Sequence, residues 1–176
     1  MKKFILNPAA ALAALVCLMA LGLSAQETKP PKLDVQAIRS KMNTRSGTDY
    51  DNEKDVLAMT VTVQNNEMDR ELKNLTCDVY IMGKGTETGN DNCLLRQSFP
   101  IQSIGPKKKI ELKTQKAITE FDDHARAKFG YKYGGWIVVI KDESDTVIFT
   151  KSSKPSFLKN LDKVLNLQTG QVLESL

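Results

Sequence analysis

The side chains that could do chemistry are few, and their spacing limits what they can do. Asp49, Asp51, Glu53 and Asp55 put four carboxylates on alternate residues, so an extended segment would turn them all to one side and could gather oxygen ligands for calcium. An EF-hand loop counted from Asp49 needs Gly at its sixth position and Glu at its twelfth, where Lys54 and Thr60 stand; a solvated acidic loop is the other reading. Asp122-Asp123-His124 is the place where a base adjoins carboxylates, and His124 is the chain's only histidine. Consecutive residues rarely aim at one point, no Gly-x-Ser-x-Gly elbow occurs, and no nucleophile can be paired with His124. The expectation is a non-enzymatic protein that needs no cofactor, with His124 in an exposed turn or loop. Lys107-Lys108-Lys109, after Gly105-Pro106, reads as a charged edge that discourages strand addition. It has no interleaved aromatics of the kind a nucleic-acid site uses.

Three cysteines occur. Cys17 lies in an apolar stretch from Pro8 to Leu23, which follows Lys2 and Lys3 and ends in small residues before Gln26, the layout of a bacterial export signal. Val16 stands where a lipobox wants Gly, Ala or Ser. Cleavage after Ala25 fits the polar Gln26-Glu27-Thr28 that follows, while the Ala20-x-Gly22 and Gly22-x-Ser24 pairs fit the small-residue rule better than Leu23 does. If retained, the stretch would act as a membrane anchor or as the stem of a pilin-like subunit. Export leaves Cys77 and Cys93 in an oxidising compartment, where an even pair is most simply a disulfide. Such a tie across 15 intervening residues would stabilise by about 3 kcal/mol and hold the ends of the polar loop Gly83–Asn92. A redox pair would lie closer, as in Cys-x-x-Cys, and zinc would need more nitrogen and sulfur ligands.

Phe129-Gly130-Tyr131-Lys132-Tyr133-Gly134-Gly135-Trp136 is the most distinctive segment. One tyrosine could tie a loop to a strand as the corner residue of immunoglobulin-like sandwiches. Alternatively Tyr131, Tyr133 and Trp136 form an exposed platform for sugar or a partner protein, with the glycines permitting close approach. Near the end, Phe157, Leu158, Leu161, Val164 and Leu165 recur at helical spacing behind Pro155, with Ser156 placed to cap. Either this apolar stripe packs back onto the domain, or Phe157, Leu161 and Leu165 dock another subunit or a membrane interface.

The elements that must position these residues are mostly strands. Leu33, Val35 and Ala37 alternate with Asp34, Gln36 and Ile38; Leu57, Met59, Val61 and Val63 share one face of Asp55–Gln64; and Leu75, Cys77, Val79 and Ile81 share one face of Asn74–Met82. Leu94–Ile104, with Pro100 marking an edge or bulge, and Lys109–Thr114 continue the pattern. Trp136-Ile137-Val138-Val139-Ile140 lacks polar alternation, which predicts a central strand covered on both faces. Asp142-Glu143-Ser144-Asp145 then turns into Thr146–Thr150. About seven strands between polar turns predict an all-β, immunoglobulin-like antiparallel sandwich with a short C-terminal helix. The expected divisions are an export signal at 1–25, an extended leader at 26–32, the sandwich at 33–154 and the helix and tail at 155–176. Without residues 1–25, 23 basic residues face 21 acidic ones, a net +2 in place of the +4 of the 176-residue chain. Charges of both signs are interspersed, which argues against nucleic acid or an anionic membrane as the main partner.

With its export signal, Pro30-Pro31 leader, short alternating strands and Tyr133-Gly134-Gly135-Trp136 strand followed by an acidic turn, the chain resembles immunoglobulin-like envelope proteins of gut bacteria. Some of those are associated with type IV pilus-like machinery. The resemblance implies an exported binding or adhesion module in the periplasm, on the outer surface or outside the cell. Its partner would be a protein or a surface glycan, bound through a sheet face, loops or the terminal helix. A pilus-like structural subunit retained by its N-terminal helix is the alternative, and an oligomer fits either.

Overall fold

The computed structural model describes residues 30–45, 53–122 and 128–173. The segments expected to be an export signal and a leader before Pro30, together with Asp49, Asp51, Asp123 and His124, lie outside the described residues. Within them the chain forms β1 (Leu33–Arg45), β2 (Glu53–Asn65), β3 (Leu72–Gly85), β4 (Asp91–Ile104), β5 (Lys109–Lys113), β6 (Ala117–Asp122), β7 (Phe129–Lys141), β8 (Val147–Ser152) and β9 (Val172–Leu173). Two short helices, α1 (Pro155–Lys159) and α2 (Leu161–Leu165), stand between β8 and β9.

Every strand pairing is antiparallel. In the first sheet β2 pairs with β1 on one side and with β5 and β6 on the other. The second sheet runs β8-β7-β3-β4-β9. The chain crosses between sheets after β2, β4 and β6, which is the Greek-key connection of an immunoglobulin-like sandwich. The expected fold is therefore present, with two strands the sequence reading missed, β6 and β9. β7 belongs to both sheets: Phe129 and Gly130 pair with Asp122 and Phe121 of β6 before the strand runs on against β3 and β8.

The pleat of β2 shows how sequence becomes layer. Its buried residues, including Leu57, Met59, Val61 and Val63, alternate with half-buried ones, so one face enters the space between the sheets. There they meet Val35, Leu75, Cys77, Val79, Ile81, Val138 and Ile140 in a single apolar cluster. At one end of that core Asn65, fully buried, pins the layers together. Its Nδ2 donates to the carbonyls of Arg70, Ile104 and Gly105, and its Oδ1 accepts from the Glu67 N–H.

A second core lies on the outer face of the second sheet. Tyr80, Met82, Cys93, Ile137 and Val139 point outward there and are covered by Phe157, Val164, Leu167 and Leu173 from the C-terminal segment. This explains the unalternating run of β7. Val138 and Ile140 fill one core while Ile137 and Val139 fill the other. Pro100 pairs with Thr76 of β3, at a point where β4 has no other neighbour among the described strands, the edge position its missing N–H requires.

Three expectations need correction. Cys77 and Cys93 are free thiols, not a disulfide. Cys77 pairs with Phe99 whereas Cys93 pairs with Met82, five positions along β3 and so roughly 16 Å apart, far beyond disulfide reach. They also occupy different cores on opposite faces of one sheet. The segment between them is a hairpin, since the strands extend to Gly85 and Asp91, and pairing already holds its ends. The terminal helix is not single: it breaks at Asn160, which lies between α1 and α2. Nor does Ser156 cap it, because Lys154 is the N-cap and Pro155 opens the first turn.

Candidate binding face

The two outer faces of the sandwich differ. The outer face of the second sheet is closed by α1, α2 and β9, and a buried ion network ties that cover down. Asp78, 2 % exposed, accepts a hydrogen bond from Ser98 and lies 3.4 Å from Lys141 and 3.7 Å from Arg96. Lys141 reaches Asp145 at 3.0 Å; that hydrogen bond first, and then the charge of Asp78, hold its ammonium above the ordinary lysine range. Arg96 in turn donates to the Leu167 carbonyl, and its N–H to Thr169 Oγ1. A cleft of about 480 Å³ beside this network is lined by Arg96, Lys141, Asp145, Asp162 and Asn166, among others. Its cations already face carboxylates, so what it chiefly does is hold the cover.

The outer face of the first sheet carries no such cover among the described residues. Ile38 (67 % exposed), Met42 (62 %) and Ile118 (59 %) stand out from it. Register aligns two of them: Met42 pairs with Val56, and Val56 pairs with Ile118, giving an apolar row across β1, β2 and β6. Ser40–Ala58 and Ile38–Thr60 form the adjoining rows. The rest of the face is polar, with Lys54 and Glu120 paired at 2.9 Å and Lys109, Glu111 and Lys113 exposed on β5. A polar-rimmed apolar patch on a sheet face is the usual mark of a contact surface.

The residues singled out from sequence mostly lie elsewhere. Phe157 is 1 % exposed inside the outer core, and Leu161 and Leu165 pack against the same core, so the helical stripe packs back and is not free to dock a partner. Tyr133 and Trp136 lean on the core between the sheets, while Tyr131, half-buried, lines a small groove with Thr88 and Phe129. They do not form an exposed platform. The two glycines do permit close approach, but to the chain itself. A Cβ on Gly135 would come within 2.9 Å of the Phe157 ring, and one on Gly134 within 2.9 Å of the Gly83 backbone. Here β7 bulges against β3, and the irregularity keeps Tyr133 and Trp136 on the same side. Arg39 covers Tyr133, its guanidinium 4.2 Å from the ring centroid; burial raises the Tyr133 phenol above its ordinary range, with Arg39 opposing.

Of the acidic series, Glu53 opens β2 and Asp55 is buried, paired with Lys41 at 2.9 Å. The described residues contain no group of three or more His, Cys, Asp or Glu able to hold a metal. Desolvation pushes the Cys77 thiol to about 12, with the Asp78 charge adding to it, and the Cys93 thiol to about 11, far from the thiolate state a nucleophile needs.

No family model matches the chain, and no curated protein matches it. Solved structures aligned with it include a Northeast Structural Genomics Consortium target, 13% identical over 70% of this chain and 87% of that one, at a TM-score of 0.35. A protein from Akkermansia muciniphila aligns at 13% identity over 82% of this chain and 81% of that one, also at a TM-score of 0.35. At these values the alignments carry no functional argument.

Sequence reasoning missed this face because Ile38 and Val56 read as the outward sides of their strands, and β6 was not seen at all. The available signal was the alternation of Ala117, Thr119 and Phe121 against Ile118 and Glu120, together with an unexplained apolar residue on each outward side.

Proposed function

We propose that this is a non-catalytic binding module of the bacterial envelope, exported by its N-terminal signal, and that it contacts a partner protein through the outer face of β1, β2 and β6. The observation that carries the proposal is the asymmetry of the sandwich: one outer face is covered by the chain's own C-terminus, whereas the other leaves Met42 and Ile118 exposed in one row, with Ile38 exposed two rows away. Water-exposed aliphatic side chains cost solubility and offer area for association. The non-catalytic reading is supported by the roles of the reactive groups, since Asp55 and Asp78 are held in internal ion pairs and both thiols are buried.

The test compares the full chain with a Met42→Asp, Ile118→Asp variant in cross-linking from the native envelope. Both positions are exposed, so stability changes by only about 0.5 kcal/mol for each substitution, and loss of the wild-type cross-links is expected. Unchanged cross-links would overturn the face assignment. N-terminal sequencing of envelope material should begin near Gln26; retention of Leu12–Leu21 would favour a membrane-held pilus-like subunit.

A further inference from the structure

The binding reading leaves open what kind of chain the face receives, and the edge of β1 narrows it. We infer that β1 accepts an added β-strand from a partner protein, one with apolar residues on its outward face and an acidic residue set against Arg39. This inference rests on the binding reading and specifies its partner.

Among the described residues β1 pairs with β2 alone. The direction of its backbone groups follows from β2. The Met59 N–H donates to Thr114 Oγ1 and its carbonyl accepts from the Thr114 N–H, so the odd-numbered residues of β2 turn away from β1. Their partners in β1 are also odd-numbered, and in an antiparallel ladder these turn away from β2 in the same manner. Val35 confirms this, since its carbonyl accepts from Lys151 Nζ of β8 at 2.6 Å. Beyond Val35 the N–H and C=O groups of Ala37, Arg39 and Lys41 meet no strand among the described residues, and such a ladder edge is the feature that strand addition uses. Ile38 and Met42 flank it on the outer face, so an added strand would extend the apolar rows already described.

Charge selects the occupant. Lys41 is neutralised by Asp55 at 2.9 Å, whereas Arg39 is exposed, stacks on Tyr133, and has no carboxylate partner among the described residues. An incoming acidic residue opposite Arg39 would complete a cross-strand pair. A second copy of β1 fits worse. The two-fold register that brings Ile38 against Met42 sets Arg39 against Lys41, whose carboxylate partner is already Asp55, so Arg39 meets a second cation and gains no carboxylate. Sliding the copy toward the N-terminus meets Val35, whose carbonyl Lys151 already holds.

The experiment titrates the full chain into fluorescent synthetic peptides that alternate Val with Glu or Val with Lys, and into a Val/Glu peptide N-methylated along its bonding edge. The expected result is saturable binding of the Val/Glu peptide, about fivefold tighter than the Val/Lys peptide, reversal of that order by Arg39→Glu, and no binding of the methylated peptide. Equal binding of all three peptides, or binding of none, would overturn the inference. So would a dimer in sedimentation that dissociates on Met42→Asp, which would give the edge to a second copy. If the peptides fail while Met42→Asp, Ile118→Asp still abolishes cross-linking, the face reading stands and strand addition falls. If the peptides bind as expected while cross-linking is unchanged, it is the face reading that falls.

Discussion

Phe157→Ala should unfold the C-terminal cover. The ring is 1 % exposed and lies among Tyr80, Met82, Ile137 and Val139 on the outer face of the second sheet. Its site cannot collapse easily, because the floor beneath it is the β7 backbone at Gly135, which presents no side chain to move into the gap. Phe-to-Ala changes in such sites cost about 3–5 kcal/mol, a large share of the roughly 5–15 kcal/mol that holds a domain together. With a urea slope of about 2 kcal/mol/M, the midpoint should fall by about 1.5–2.5 M. Leu158, the next residue on α1, is 38 % exposed, and Leu158→Ala should change stability by about 0.5 kcal/mol. The assay is urea denaturation followed by the fluorescence of the single tryptophan, Trp136, with far-ultraviolet circular dichroism alongside. A loss below about 1 kcal/mol for Phe157→Ala, or equal losses for the two variants, would refute the account of this segment as a packed cover.

Three further outcomes follow from the buried groups. The protein should contain two thiols at positions 77 and 93 that resist alkylation until it is denatured; recovery of a Cys77–Cys93 linked peptide under non-reducing conditions would contradict the register. Because the folded thiols titrate at about 12 and about 11, above an unfolded value near 9, the folded state holds protons that the unfolded state releases. Stability should therefore be full below pH 9 and fall as pH rises above it, by about 1.4 kcal/mol per pH unit per thiol, a slope that a Cys77→Ala, Cys93→Ala variant should lack in a pH series of denaturation curves. Asp78→Asn should destabilise by about 3 kcal/mol, since it leaves Lys141 and Arg96 without the carboxylate they share; a change under about 1 kcal/mol in thermal or urea unfolding would show that the network does not tie the cover down.

Much of the fold was legible because long strands repeat their signal. β2 shows its inward face four times over in Leu57, Met59, Val61 and Val63, and the solid run Ile137–Ile140 announced burial on both faces. β6 was hidden by its brevity and by Ile118, an outward apolar residue that spoils the alternation of Ala117, Thr119 and Phe121. The terminal stripe was legible as spacing, but not the break at Asn160. Cysteine spacing gave a plausible loop length and no information about faces. A register shift between Ile81 and Met82 and the span of the hairpin put the two thiols in separate cores, and neither feature shows in a count of residues. The binding face was the least legible. An exposed apolar residue becomes conspicuous only once its cross-strand neighbours are known, and Met42, Val56 and Ile118 come together from three strands.

The double membership of β7 has a mechanical side. Where the sheets of a sandwich meet only through loops, each layer can part from the other with its own hydrogen bonds intact. Here the ladder runs from β6 through Phe129 and Gly130 into the second sheet, so separating the layers at that end means tearing backbone bonds. At the other end the ties are made by side chains, among them the Asn65 amide and the Lys151 ammonium on the Val35 carbonyl and the Asp34 carboxylate. The sandwich is welded by backbone bonds along one rim and buttoned by side chains along the other, so its layers should part from the buttoned rim first.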